Sequence, residues 1–430
     1  MSEKYECFIS GAGLGGLLSS AMLTKHENRI FLAEKLPFLG GRFTSHKYEG
    51  FEIPTGAVHM IPHSQKGPLG QLLLHYLQLP IDIQNIENFT IWYWPNRKPI
   101  KHRSFWGIFK AFPKRSQRIY VIRNLILGVR NSKHHTESFH EYLEARTKDP
   151  QIFQFFNAVT GFALSLDVSQ LSTASMFRFL NKLYQKGRPG IPIGGCKEVI
   201  STLANFSCRN GLGNIQKNCE LKKLELDGSK VNLAVCRNLN TNEEFEVKAT
   251  NFILNLGHFQ INDILQNSEI PFRLPSAPVA KGGGFAFRSN TSILGSSAIA
   301  QFPENEYFKG AVEPTMVSPN LAPSGEHMFL THHLFKSNDV VRDSRRARDE
   351  VLAIFPQLRE EDELVIRTFH KNWPVNFASQ GNDLANFSSE VDNLFFVGDG
   401  FKGNQGWMMT EGVAYGVHQV VDEIMSNNQN

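Results

Sequence analysis

A glycine-rich turn near the start of the chain constrains the fold more than any other feature of the sequence. The turn reads Gly11-Ala12-Gly13-Leu14-Gly15-Gly16, follows the apolar run Tyr5–Ser10 and precedes the helix-compatible run Leu17–Leu23. A strand, a tight turn and a helix in this order are typical of a dinucleotide-binding unit. In such a unit Gly11 permits the turn, Gly13 lets the backbone approach a pyrophosphate, and Gly16 lets helix and strand pack closely.

A second apolar run supplies the acid that this unit requires. Arg29–Ala33 ends at Glu34, 23 residues after Gly11. An acid at this position accepts hydrogen bonds from the ribose hydroxyls of adenosine. The alternative is a glycine-rich turn in an unrelated α/β unit, and the presence of strand, helix and acid together makes it the weaker one.

The residues after Glu34 indicate a family. Lys35 follows, and five residues separate the acid from Gly40-Gly41-Arg42. This spacing resembles that of the FAD-dependent amine oxidase and phytoene desaturase superfamily. The resemblance implies FAD, with Arg42 binding the phosphates as a planar donor fork. It also implies that Gly56-Ala57-Val58-His59 lies against the flavin ring.

Three further parts of the chain resemble the same superfamily. Near the C-terminus, a buried-type strand ends in Gly398-Asp399, and the resemblance implies that Asp399 binds the ribityl chain or the pyrophosphate. The segment Gly406-Trp407-Met408 then begins a final helix that would face the flavin pyrimidine. Leu221 takes the position of an adenine contact, although an ordinary core leucine is at least as compatible. No cysteine lies beside these motifs, so we expect FAD to be bound non-covalently.

The predicted fold class is α/β, with a Rossmann-like FAD-binding domain and a discontinuous second α+β domain for the substrate. A chain of 430 residues is long enough for two domains. We predict that residues 1–82, 190–265 and 386–430 form the FAD-binding domain. Residues 83–189, as a mainly helical insertion, and 266–385 would form the substrate-binding domain.

The resemblance favours the phytoene desaturase branch. It implies hydride transfer between flavin N5 and a lipophilic, unsaturated or isoprenoid substrate, in either direction. One alternative is a flavin amine oxidase acting on a small amine. The other is a flavin-less binding protein, similar in fold to the Rab escort and GDP-dissociation-inhibitor proteins, which bind prenylated partners.

Three residues are candidates for a catalytic role. The resemblance to amine oxidases implies that Lys281 could lie near flavin N5, and an exposed lysine at a strand end is the alternative. His59 could deprotonate a substrate, although a hydrogen-bonded structural histidine is more common at such a place. Trp407 could form a wall beside the flavin or serve only in packing.

The segment from Pro95 to His135 has a distinct charge. It contains 11 Lys or Arg residues and no acid, with aromatic residues between them, whereas the rest of the chain is net acidic. This pattern suits peripheral contact with an anionic membrane, and a solvated basic face is the alternative. We expect no nucleic-acid partner, because an FAD enzyme explains more of the sequence. The lack of an N-terminal signal pattern or a cysteine framework predicts a cytoplasmic protein.

Overall fold

The computed structural model describes residues 4–56, 58–94, 98–104, 107, 112, 114–130, 137–274, 279–369, 373, 389–401 and 406–427. The strands are β1 (Lys4–Ser10), β2 (Ile30–Glu34), β3 (Ser45–Tyr48), β4 (Phe51–Pro54), β5 (Ile83–Asn85), β6 (Asn88–Trp92), β7 (Ile100–His102), β8 (Gly190–Pro192), β9 (Gly213–Lys217), β10 (Cys219–Asp227), β11 (Lys230–Asn238), β12 (Glu244–Leu254), β13 (Gly282–Ser289), β14 (Ala298–Gln301), β15 (Phe308–Val312), β16 (His327–Leu334), β17 (Glu363–Phe369) and β18 (Leu394–Phe396). The helices are α1 (Leu14–Lys25), α2 (Pro68–Gln71), α3 (Arg115–Arg130), α4 (Phe139–Glu144), α5 (Pro150–Leu164), α6 (Thr173–Lys186), α7 (Gly195–Ser207), α8 (His258–Asn267), α9 (Val340–Ile354) and α10 (Met409–Asn427).

The first large sheet contains the nucleotide-binding unit. Its strand order is β10-β11-β12-β1-β2-β9, and β18 pairs with β12. Strands β2, β1, β12 and β18 run parallel, so their carboxyl ends lie at one edge. Ligands of open parallel sheets bind at this edge.

Helix α1 is buried on nearly every side because its residues are small or apolar. Leu14 to Thr24 are all buried, including Ser19 and Ser20. The helix shares a hydrophobic core with α7 and α10. An all-round apolar helix of this kind is typical of a protein interior, and here its N-terminus is held at the edge where β1 ends.

The second large sheet has the order β17-β13-β16-β15-β14-β6-β7. Helices α4, α5 and α6 pack over one of its faces in a core rich in phenylalanine. Helix α5 begins where its sequence predicts a start: the Asp149 side chain accepts a hydrogen bond from Gln151 N, and Pro150 occupies the first turn. The predicted fold class, an α/β protein with a Rossmann-like domain and a second α+β unit, is confirmed.

The two sheets draw their strands from the residue ranges predicted for the two domains, with two qualifications. The short pair β5–β8 joins residues assigned to different domains. In addition, the region 83–189 is not only helical, because β6 and β7 extend the second sheet. Within the described part of the chain, no helix is both long and apolar enough to cross a membrane.

Candidate functional site

A cavity of about 590 Å³ extends from the glycine-rich turn to the second sheet. Gly11, Gly13, Leu14 and Gly15 all line it. Gly11 has a φ of +94°, and a Cβ on Gly16 would come within 2.0 Å of Gly11 O, so both positions require glycine. Gly16 does not line the cavity; it lets α1 approach the turn closely, as its sequence position predicts.

Glu34 is held beside this turn by two backbone donors. Ala12 N donates to Oε2 at 2.6 Å, and Leu36 N donates to Oε1 at 2.8 Å. Burial raises the pKa of the Glu34 carboxyl, while these backbone hydrogen bonds oppose the rise. The side chain lines the cavity with each oxygen still able to accept a further hydrogen bond.

Arg42 and Asp399 meet although 357 residues separate them in the sequence. Arg42 Nη2 donates to Asp399 Oδ1 at 3.0 Å. The contact forms because β18 lies beside β12, which lies beside β1, so Gly398 and Asp399 emerge near the opening turn. Both charged side chains line the cavity.

The other cofactor-binding residues predicted from Lys35 to Val58 line the cavity wherever they are described. Gly40, Gly41, Gly56 and Val58 line the cavity, and Ala57 lies outside the described residues. Lys35 also lines it, and its Nζ forms an ion pair with Glu220 at 2.7 Å.

His59 occupies a structural position. Its Nε2 bonds to Glu52 O at 2.7 Å, and its Nδ1 accepts from Cys196 N at 3.1 Å. Burial lowers the pKa of His59 to about 4, so the ring is neutral near pH 7. With both nitrogens engaged in the interior, the ring is not placed to deprotonate a substrate in the cavity.

Lys281 and Leu221 are also absent from the residues that line the cavity. Lys281 is exposed directly before β13, which agrees with the alternative of an exposed strand-end lysine. Leu221 is buried in the core beneath the first sheet, where it serves in packing. The sequence alone could not show whether Lys281 and Leu221 reach the cofactor, because the contacts of both residues depend on parts of the chain that are distant in sequence.

The residues near the start of α10 that line the cavity are not the ones predicted. Met409, Thr410 and Val413 line it. Gly406, Trp407 and Met408 precede them and do not, since Trp407 packs edge-on against His63 with 5.6 Å between ring centroids. Lys182 Nζ lies 4.1 Å from the centroid of the Trp407 ring. The prediction of Trp407 as a flavin wall is therefore not supported by its position.

Sequence analysis missed the segment after β12. Asn255 to His258 and Gln260 line the cavity. Asn255 Nδ2 donates to Gly11 O at 3.1 Å, and a Cβ on Gly13 would come within 2.8 Å of this amide. The available signal was a polar residue directly after a buried strand, the position where parallel strands present ligand contacts.

The opposite end of the cavity is apolar. Its walls include Phe155, Phe156 and Phe162 of α5 and Phe179, Leu180 and Leu183 of α6. The charged residues Glu34, Lys35, Arg42 and Asp399 all belong to the nucleotide end. Among the described lining residues, therefore, one end suits a charged nucleotide and the other a hydrophobic molecule.

The nucleotide end fits a dinucleotide on the structure alone. Gly13 and Gly15 leave the backbone open, α1 directs its N-terminus at the cavity edge, and Glu34 and Arg42 supply an acceptor and a donor fork. Residues 9–76 match the family described as NAD(P)-binding Rossmann-like domain. A putrescine oxidase bound to putrescine shares the fold, with a TM-score of 0.73 and 14% identity over 99% of this chain and 100% of the oxidase. The fold, the motifs and the Rossmann-like match fit an oxidoreductase of the FAD-dependent amine oxidase and phytoene desaturase superfamily.

Closer relatives place the chain more narrowly. It belongs to the same family as an uncharacterised protein of Methanocaldococcus jannaschii, with 34% identity over 97% of this chain and 99% of the relative. An oxidoreductase of known structure from Methanosarcina mazei has 26% identity and a TM-score of 0.87 over 97% of this chain and 99% of that one. A prolycopene isomerase of an Oncidium hybrid is 24% identical; the match covers 79% of this chain and 65% of the isomerase.

Proposed function

We propose that this protein is an FAD-dependent oxidoreductase that resembles phytoene desaturase and acts on a lipophilic, unsaturated or isoprenoid substrate. The observation that carries the proposal is the division of one cavity into a charged nucleotide end and an apolar end. Bound FAD would supply hydride-transfer chemistry at its N5 atom. The similarity to a prolycopene isomerase supports an unsaturated hydrocarbon substrate.

The residues of this chain would bind, orient and exclude water. Glu34 would accept from the adenosine ribose, and Arg42 and the N-terminus of α1 would bind the pyrophosphate. Phe156, Phe162 and Leu180 would surround the substrate and keep solvent away from the reacting atoms. We assign no protein acid or base, because His59 and Lys281 lie elsewhere.

The amine oxidase alternative receives less support from the same cavity. In its apolar end no described lining residue is charged, so an ammonium group would lack a counter-ion there. Lys281, the residue which that alternative needs near the flavin, is exposed.

The test begins with purified protein that is incubated with FAD and freed of excess cofactor. We expect about one flavin per chain. Adding an unsaturated isoprenoid without oxygen should bleach the visible absorbance of the oxidised flavin or, if the flavin has first been reduced, reoxidise it. Bleaching by a small primary amine alone would support an amine oxidase. Protein that takes up no FAD would support the flavin-less binding protein.

We also infer that α3 contacts an anionic membrane surface. Part of the predicted segment 95–135 lies outside the described residues, but α3 is described. Ile119, Ile126 and Leu127 are 58%, 43% and 45% exposed, and Arg115 and Arg123 are exposed beside them. Apolar and basic residues on one helical face suit the bilayer interface. Gly128 of α3 packs on the ring of Phe177 in α6, and α6 also lines the cavity.

A further inference from the structure

We propose that the substrate carries one neutral oxygen group, best matched by a hydroxyl, which binds to Thr90, Trp92 and Gln301 in the wall formed by the second sheet. This inference rests on the proposed function, because it concerns the substrate of the same cavity. The proposed substrate then has one polar end, whereas the apolar walls of the cavity suit only its hydrocarbon part.

Strand pairing places the three side chains together. Strands β6 and β14 are parallel neighbours, with Thr90 beside Ile299 and Trp92 beside Gln301. Residues two apart in a strand share a face, so these four side chains form one patch, and all four line the cavity. Ile91 and Ala300 belong to the opposite face and are fully buried in a separate core.

Each of the three polar side chains has an unmet hydrogen-bonding atom. Thr90 Oγ1, Trp92 Nε1 and Gln301 Oε1 are buried and have no hydrogen-bond partner within the described residues. The exposed fractions of Thr90, Trp92 and Gln301 are 4%, 0% and 4%. Buried polar atoms in native proteins nearly always have partners, and an unmet one destabilises the fold. Three such atoms together on a cavity wall indicate a site for a polar ligand group.

The chemistry of the patch selects the kind of group. The Trp92 indole can only donate, the Gln301 oxygen can only accept, and the Thr90 hydroxyl can do either. A hydroxyl is the smallest group that accepts from the indole and donates to the amide oxygen with one atom. A hydrocarbon would leave all three atoms unmet.

Charged groups fit this wall poorly. The described charged residues of the cavity, Glu34, Lys35, Arg42 and Asp399, all lie at the nucleotide end. A carboxylate or an ammonium bound at Thr90 and Gln301 would be desolvated without a counter-ion, which is strongly unfavourable. The wall therefore distinguishes a neutral alcohol from an acid and from an amine.

The aromatic surroundings fix the patch in place. The indole of Trp92 stacks on Phe155 with 4.6 Å between ring centroids, and Phe155 in turn contacts Phe112 at 4.5 Å and Phe156 at 5.1 Å. A side chain held this way gives up little conformational freedom when a ligand binds. The patch can therefore set the orientation of a substrate whose remaining surface is apolar.

The test compares ligands that share one carbon skeleton. Farnesol, the hydrocarbon in which its hydroxyl is replaced by hydrogen, farnesylamine and farnesoic acid are titrated into the FAD-loaded protein by calorimetry. We expect farnesol to bind about tenfold more tightly than the hydrocarbon, since a site built to bond a hydroxyl rejects the analogue that lacks it. The amine and the acid should also bind more weakly than the alcohol.

Variants with side chains of similar size test whether Thr90, Trp92 and Gln301 cause the preference for farnesol over the hydrocarbon. In Thr90→Val/Gln301→Leu the advantage of farnesol over the hydrocarbon should fall to about threefold or less, because only one of the three atoms without a hydrogen-bond partner, Trp92 Nε1, then remains. Ile299→Val changes the same patch without removing a polar atom and should keep the preference. If the double variant folds poorly, Trp92→Phe tests the same preference by removing the indole donor.

Equal affinity for farnesol and the hydrocarbon in the unaltered protein would overturn the proposal and would mean that the three atoms bind ordered water only. An alcohol preference that is undiminished in a folded double variant, or in Trp92→Phe if that is the variant that folds, would overturn it as well. Flavin content is measured in the same samples. Failure to take up FAD would refute the proposed function, whereas the preference between the two ligands would still be measurable by calorimetry.

Discussion

At the scale of single residues, Glu34 connects the opening turn to the proposed cofactor. Replacing Glu34 with Gln keeps its size but removes the charge that would accept from two ribose hydroxyls. We expect FAD affinity to fall about tenfold, because a hydrogen bond to a charged group contributes about 1.5 to 3 kcal/mol. Quenching of flavin fluorescence measures the dissociation constant. Glu27→Gln, at an exposed turn of the same unit, is the matched control, and equal affinities in both variants would contradict the assignment.

Glu411 is a buried acid that joins α10 to α2 and to the segment before it. Its Oε1 accepts from His63 N at 3.0 Å and its Oε2 from Leu69 N at 2.9 Å. Burial raises the pKa of the Glu411 carboxyl to about 7, although both backbone hydrogen bonds oppose the rise. Its neighbours Met409 and Thr410 line the cavity, so this acid positions the start of α10.

A raised pKa makes the contribution of Glu411 to stability depend on pH. The unfolded chain releases this proton near pH 4.5 and the folded chain near pH 7, so ionisation increasingly opposes folding between these values. Relative to Glu411→Gln, the wild type should lose roughly 3 kcal/mol of unfolding free energy across this range. Urea unfolding at several pH values measures the difference. Glu304→Gln, which alters an exposed carboxylate, is the control, and a constant difference between Glu411→Gln and wild type would contradict the prediction.

At the scale of secondary-structure elements, α3 tests the membrane proposal. The double variant Arg115→Glu/Arg123→Glu should reduce binding to phosphatidylserine-containing liposomes roughly tenfold or more, because each basic residue near an anionic surface contributes about 1 kcal/mol. Co-sedimentation measures it, with uncharged liposomes for comparison. Val341→Ser/Arg345→Glu changes an exposed apolar and basic pair on α9 and should bind as the wild type does. Unaltered sedimentation of the α3 variant would mean that this face is only solvated.

Elements that depend on local sequence were predictable. The β1–α1–β2 unit follows from glycines whose roles are set within a few residues, such as the positive φ at Gly11 and the close approach at Gly16. The start of α10 was predicted one to three residues too early. Positive φ angles at Gly406 (+84°) and Met409 (+55°) turn the chain there, and nothing in the local sequence requires a left-handed methionine.

Features that depend on distant pairing were not predictable. The polar wall of Thr90, Trp92 and Gln301 exists only because β6 pairs with β14, more than 200 residues further along the chain. The contact of Asn255 with Gly11 likewise needs β12 to lie beside β1. Periodicity gives the faces of each strand but not its neighbours, so the resemblance to a family located the nucleotide end and left the substrate end undefined.

At the scale of the whole molecule, the cavity joins parts of the chain that are far apart in sequence. The opening turn, the segment after β12, the Gly398-Asp399 pair and the start of α10 all line it. A ligand that binds all of these parts binds only the folded chain. Its binding free energy therefore adds to the stability of the whole protein.

This linkage distinguishes FAD from a nicotinamide cofactor. Both contain ADP, which Glu34 and the α1 turn would bind, but a contact of Asp399 with the ribityl chain and of α10 with the flavin needs parts of FAD that NAD lacks. FAD at one hundred times its dissociation constant should stabilise the protein by about 2.7 kcal/mol, seen as a higher Tm, and NAD at the same concentration should raise Tm less. Asp399→Ala should reduce the FAD shift without altering that of NAD. An equal shift with both cofactors, or a larger one with NAD, would mean that the cavity is a nicotinamide site.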